Sequence, residues 1–257
     1  MSDTATPPSR LGQWPAMSSR ATRLALRDLD ALLTTWILPI AIMVLFMSLF
    51  AGAIQTGTDY ILYLTPGILL TCAGFGAATT AVTVNNDMTG GIVDRFRSMD
   101  ISGAPVIAGH VLVGTVRTIV TLIPVVGVAL LYGFRSEATA LEILSAVGII
   151  ALFIFAMAWL AASVGVLARS SEAANAFTFV VVFLPYPSSA YVPIHTMPGW
   201  LQPFAEYQPV TPVIETIRGL LLGTPVGDNP LLAIIWCVGI AAAGIVFCTV
   251  MFRRRTA

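Results

Sequence analysis

The chain reads as an all-α integral membrane protein: six transmembrane helices, an N-terminal interfacial helix, a cytoplasmic helix, and short extracellular helices before the last span. Three observations predict this. Of its 257 residues, 57% are hydrophobic and only 10% are charged, far from the composition of soluble globular domains. Six apolar stretches, at 36–54, 60–84, 106–132, 143–168, 176–192 and 231–252, come close to or exceed the roughly 20 residues that a helix needs to cross the hydrocarbon core. Each is continuous rather than alternating, which selects helices over a β-barrel.

Orientation follows from arginine, since the chain contains no lysine. Arg10, Arg20, Arg23 and Arg27 precede the first span, Arg95 and Arg97 lie between the second and third, Arg169 follows the fourth, and Arg253, Arg254 and Arg255 follow the last. Only Arg135 and Arg218 fall in the alternate loops. The positive-inside rule therefore places both termini and the even-numbered loops in the cytoplasm; the formal net charge of zero conceals this asymmetry. The expected organisation is one domain over 1–257: a flexible 1–18, an interfacial helix at 19–34, the six-span bundle at 36–252 and a basic tail at 253–257. No short apolar core followed by a small-residue cleavage site precedes the first span, so no cleavable signal peptide is expected.

Three amphipathic segments punctuate the spans. In the first, 19–34, a helix gathers Arg20, Arg23, Arg27 and Asp30 on one side and Ala25, Leu26, Leu29, Leu32 and Leu33 on the other. It suits the cytoplasmic interface, with its arginines toward headgroups or a partner. In the second, 85–105, Asp87 or Thr89 can cap a short helix starting near Gly91, with Met88, Ile92, Phe96 and Met99 as its apolar stripe and Asp94 and Arg97 opposite. Such a helix either rests on the bilayer or seats in a groove of a cytoplasmic subunit.

The third segment, 194–229, is too polar for another span. Trp200, Phe204 and Tyr207 recur at interfacial spacing. A second short helix can begin with Thr211 as cap and Pro212 at its first position, pair Glu215 with Arg218 three residues on, and stop at Gly223. Re-entrant or interfacial elements lining an outer vestibule, or an aromatic belt anchoring a long loop, both fit.

Cys72, Cys237 and Cys248 all fall within spans and read as small packing residues. His110 and His195 lie on opposite sides, and no metal or nucleophile motif occurs, so no metal site and no catalytic residue is expected. The absence of lysine excludes a Walker A loop. Asp and Glu are absent from the span interiors, against the carboxylate at membrane depth that a proton- or sodium-coupled carrier wants. Composition alone still admits a receptor or scaffold. Arg117 is the charge within a span, in a position suited to snorkelling, structure or gating, or to contact with an anionic substrate.

The run Asp87-Met88-Thr89-Gly90-Gly91-Ile92-Val93-Asp94-Arg95-Phe96-Arg97-Ser98 resembles the segment after the second span in type-2 ATP-binding-cassette permeases, above all the bacterial drug-exporter branch typified by daunorubicin-resistance permeases. The run Val192-Pro193-Ile194-His195-Thr196-Met197-Pro198-Gly199-Trp200-Leu201-Gln202, with Pro209-Val210-Thr211 after it, resembles the same family's stretch between spans five and six. Two departures stand out: Asp100 and Gly103 occupy positions where the family commonly has proline and a basic residue.

The resemblance implies a half-transporter in the bacterial plasma membrane. Two copies, or one copy and a paralogous permease, would enclose a path for a lipophilic or drug-like substrate among membrane lipids. ATP and Mg would be used by a separate nucleotide-binding subunit, this chain binding no cofactor and no nucleic acid. Asp87, Gly91, Ile92, Asp94, Arg95, Phe96 and Arg97 would form the ATPase-coupling element, and Arg117 would serve structure or gating. A permease of the same superfamily exporting a polysaccharide or a lipid is the alternative.

Overall fold

The computed structural model describes residues 29–90 and 104–256, and among these every regular element is helical. The helices are α1 (Leu29–Phe50), α2 (Tyr60–Thr89), α3 (Ala104–Leu131), α4 (Ala140–Leu167), α5 (Ser171–Phe183), α6 (Gln202–Tyr207), α7 (Val210–Leu222) and α8 (Asn229–Thr256), with a 3-10 turn at Ile194–Thr196 before α6. Four of them, α2, α3, α4 and α8, are long and apolar enough to cross a membrane.

Local chemistry sets the boundaries. Thr139 and Glu142 form a reciprocal capping box at the start of α4, and the Ser170 hydroxyl accepts from the Ala173 amide to open α5. At the end of α7, Gly223 adopts a left-handed φ of 67°, which closes the helix where a side chain would be strained. Pro39, Pro66 and Pro124 sit inside α1, α2 and α3, a placement membrane helices accommodate when neighbours re-satisfy the freed carbonyls.

Several expected boundaries are corrected. Residues 29–34 run unbroken into the first span, so within the described residues no join separates an interfacial helix from α1; nothing in Leu33-Thr34-Thr35-Trp36 breaks a helix. Residues 19–28 of that expected element lie outside the described residues. Asp87 and Thr89 form part of the last turn of α2 rather than capping a new helix, and the Thr89 hydroxyl donates back to the Asn85 carbonyl at 2.9 Å. The stretch 176–192 is not one helix: α5 begins earlier, at Ser171, and stops after 13 residues at Phe183. That is about 20 Å of helix, short of a bilayer core of roughly 30 Å. Pro185 and Pro187 explain the stop, since neither has an amide to donate and each ring clashes with the preceding turn.

The 197–207 segment is helical only from Gln202 to Tyr207, with an irregular stretch at 197–201 before it. Thr211 does not cap α7; Pro209 holds that position, without a side-chain cap.

Helix α2 is the hub. It packs against α1, α3, α4, α5 and α7, and Leu64, Ile68, Leu70 and Cys72 on it are fully or almost fully buried. Glycines let its neighbours approach: Gly76 lies under Thr118 of α3, and Gly165 of α4 lies against the Ala81 carbonyl and Val84. Helix α7 enters the bundle rather than lying on it, with Val210, Val213, Ile214 and Ile217 completely buried against α2, α4 and α8.

Candidate functional site

The break after α5 creates a physical problem that the site solves. Backbone without a helix, inside a bundle of membrane helices, needs partners for its carbonyls because lipid offers none. Residues 184–193 receive them from side chains. Gln208 donates to the Pro187 carbonyl at 2.5 Å, Arg218 to the Ser189 carbonyl at 2.7 Å and Tyr60 to the Tyr191 carbonyl at 3.0 Å; Ser188 donates to the Pro185 carbonyl. The Thr211 hydroxyl accepts from the Ser189 amide at 3.4 Å and donates to the Ala205 carbonyl at 2.5 Å. Tyr191, itself buried, shares a 2.7 Å hydrogen bond with Thr71 of α2. Gly67 of α2 lies directly beneath Ala190, with no room for a β-carbon.

Arg218 is the centre of this arrangement. Only 7% exposed, it is held by Glu215 at 2.5 Å, donates also to the Tyr63 carbonyl at 3.0 Å, and stacks over the Tyr63 ring with its guanidinium carbon 3.7 Å from the centroid. One planar cation therefore joins α2, the broken segment and α7. The five donors of arginine suit this role and a single ammonium does not. The Glu215–Arg218 pair expected from the three-residue spacing is thus present, with Arg218 buried, Glu215 partly exposed and both lining a cleft. That cleft, of about 380 Å³, is lined by Thr56, Thr58, Tyr63, Ser189, His195 and Glu215 among others. Trp200, Phe204 and Tyr207 lie outside it, exposed on α6 and the turn before it.

A ladder of rings runs beside the break. Phe50, Phe46, Tyr191, Tyr186 and Phe183 stack in succession with centroids 4.6–5.4 Å apart, within the range of favourable aromatic pairs.

A second polar group occupies the opposite end of α2. Asn85, fully buried, donates to the carbonyls of Gly165 and Ala168 at 3.1 and 2.8 Å. Asn86 accepts from the Ser171 hydroxyl at 3.0 Å, and Asp87 pairs with His110 of α3 at 2.6 Å. Of the residues assigned to coupling, Asp87 is placed here; Gly91, Ile92, Asp94, Arg95, Phe96 and Arg97 lie outside the described residues. Arg117 is 9% exposed, enclosed within the bundle. Cys72, Cys237 and Cys248 are free and buried, in keeping with packing, and the described residues hold no cluster of metal-ligating side chains.

Sequence reasoning missed Tyr63, Ser189, Gln208 and Tyr191 at the break and Asn85, Asn86 and His110 at the other end. Signals existed for both: hydroxyls and tyrosines at 186–191 interrupting an apolar run, and Asn85-Asn86-Asp87 closing one.

The model of a family described as "ABC-2 type transporter" matches residues 12–222. Among curated proteins, the daunorubicin resistance ABC transporter permease protein DrrB1 of Streptomyces coeruleorubidus is 29% identical over 190 residues, 73% of this chain and 67% of the relative. The probable doxorubicin resistance ABC transporter permease protein DrrC of Mycobacterium tuberculosis is 25% identical over 230 residues, 89% of this chain and 83% of the relative.

Proposed function

The chain belongs to the ABC-2 type transporter family, and on that premise we propose that it is the permease subunit of an ATP-driven exporter of lipophilic or drug-like molecules. The observation that carries this reading is the family match, which spans the α2 hub, both polar groups and α7, together with relatives named for resistance to daunorubicin and doxorubicin. On this reading six segments cross the membrane, α1 and the α5 break supplying two of them, and two permease copies enclose the path. The Arg asymmetry puts both termini and the Asn85 end of α2 in the cytoplasm and the Arg218 cleft outside. Single cysteines at Ser98 and Asp228 in a cysteine-free background then label from opposite sides of intact cells, Asp228 from outside. Labelling of both from one side rejects the orientation.

With no lysine for a nucleotide loop, the energy comes from a separate ATPase subunit that binds ATP and Mg. The segment containing Gly91, Ile92, Asp94, Arg95, Phe96 and Arg97, beside Asp87, is its docking element, with Phe96 as apolar anchor. The chemistry asked of the permease is conformational. Carbonyls held by side chains rather than by a helix ladder can exchange partners when α7 or α2 shifts, so the clamped break is the part of the bundle suited to open outward.

The testing experiment reconstitutes permease and ATPase subunit in vesicles and follows uptake of daunorubicin into inverted membranes. Export requires both subunits, and permease alone hydrolyses no ATP. Phe96→Ala weakens subunit association by about 2 kcal/mol or more, as expected for loss of an aromatic hot spot, measured by co-purification. Parental association and transport in that variant remove Phe96 from the docking role.

A further inference from the structure

Three consecutive side chains at the cytoplasmic end of α2 reach three different elements. Successive residues on a helix point 100° apart, and here Asn85 meets the end of α4, Asn86 the start of α5, and Asp87 the second turn of α3. The placement of Asp87 is locally unfavourable. It lies in the last turn of α2, where the helix dipole disfavours an anion, and that turn carries no basic residue to offset it. What compensates is His110 of α3 at 2.6 Å, with the pair only 20–25% exposed. A local rule broken and repaired by a contact between helices marks the contact, rather than either helix, as the feature being maintained.

Asn85 acts in the same sense. Its amide satisfies carbonyls at the end of α4, which the helix cannot pair internally. The last turn of α2 is therefore fastened to α3 by the Asp87–His110 hydrogen bond and to α4 by amide hydrogen bonds, directly before the segment that the proposed function assigns to ATPase docking.

We infer that His110 is a positioning residue which, through Asp87, locks α3 to the last turn of α2, so that a displacement at the docking element moves α2, α3 and α4 as one unit. This rests on the permease reading for its purpose, but the mechanical statement stands on the contacts alone. A histidine merely filling space would be replaceable by an apolar residue of similar size. A histidine that ties the two helices by donating to the carboxylate is replaceable only by another side chain that can donate there.

The test uses His110→Leu and His110→Arg, each with spin labels at Thr83 and Leu112, both exposed, in a cysteine-free full-length permease in nanodiscs. The expected result is a broader label-to-label distance distribution in His110→Leu and a parental one in His110→Arg. In the complex with its ATPase, molecules transported per ATP fall roughly fivefold or more in His110→Leu, a size typical of residues along a coupling network, while the ATPase subunit still co-purifies, and recover in His110→Arg. If His110→Leu yields no folded protein, His110→Ala, which also removes the donor, is read in its place. A parental distance distribution in the variant that lacks a donor, or equal broadening in His110→Arg, overturns the inference. Failure of the parental complex to export anything overturns the permease reading instead and leaves the distance measurement to judge the tie.

Discussion

Arg218→Ala abolishes export and lowers the stability of the purified permease by about 3 kcal/mol, the lower part of the range for removing one partner of a buried ion pair. The loss is large because one side chain serves four groups. Without it the carbonyls of Tyr63 and Ser189 lose their donor, Glu215 keeps a charge in a site only 32% open to solvent, and the Tyr63 ring loses the cation above it. Arg218→Lys recovers only part of the function, since an ammonium on a flexible stem cannot span two carbonyls and a carboxylate as a planar fork does. Thermal unfolding in detergent and drug efflux from intact cells measure the two effects. A lysine variant with parental efflux shows that charge alone matters and the fork does not.

The second large effect is steric. Gly67→Val places side-chain carbon where the Ala190 backbone lies; already a β-carbon would come within 2.7–2.8 Å of its carbonyl oxygen and α-carbon. Overpacking usually costs 1–3 kcal/mol, and about 3 kcal/mol is expected here because the obstacle is main chain, which cannot rotate aside. The broken segment must lift from α2, with the Tyr60 and Arg218 bonds at risk as it does so. Gly109→Val, at a position with open space around the α-carbon, is the control and leaves folding yield near parental. Comparable yields for the two variants would mean that the close approach of α2 to residue 190 does not constrain the fold.

Much of this architecture was legible because apolar length and arginine placement are properties of single segments. The four long helices, the αL stop at Gly223 and the Glu215–Arg218 spacing all follow from residues close in sequence. The proline pair at 185 and 187 is an equally local signal for the end of α5. What followed it was not legible, because it is held in part from far away: Tyr60, which donates to the Tyr191 carbonyl, is 131 residues from it, and Arg218, which donates to the Ser189 carbonyl, is tied in turn to the Tyr63 carbonyl 155 residues away. The same holds at the other end of α2, where Asn85 and Asn86 reach across 80 residues or more. For α7 the sequence left its depth open, between re-entrant or interfacial elements and an aromatic belt. Val210, Val213, Ile214 and Ile217 carry it into the core, and the buried cation finds its partners there.

The central position of α2 also bears on how the protein is made. It is the least apolar of the four long helices, with Thr65, Thr71, Thr80 and Asn85 on it buried, yet it leaves the ribosome before α3, α4, α5 and α7, which enclose it. A nascent α2 entering lipid has its threonine hydroxyls turned back onto its own carbonyls, but nothing yet to receive the Asn85 amide. Membrane integration of this chain thus includes an early helix that is unfinished as a lipid-facing surface, and its completion waits for segments synthesised up to about 155 residues later. On the proposed function, biogenesis and transport would make opposite demands on the same glycine- and threonine-lined faces: late closure during synthesis, and reversible loosening in each cycle afterward.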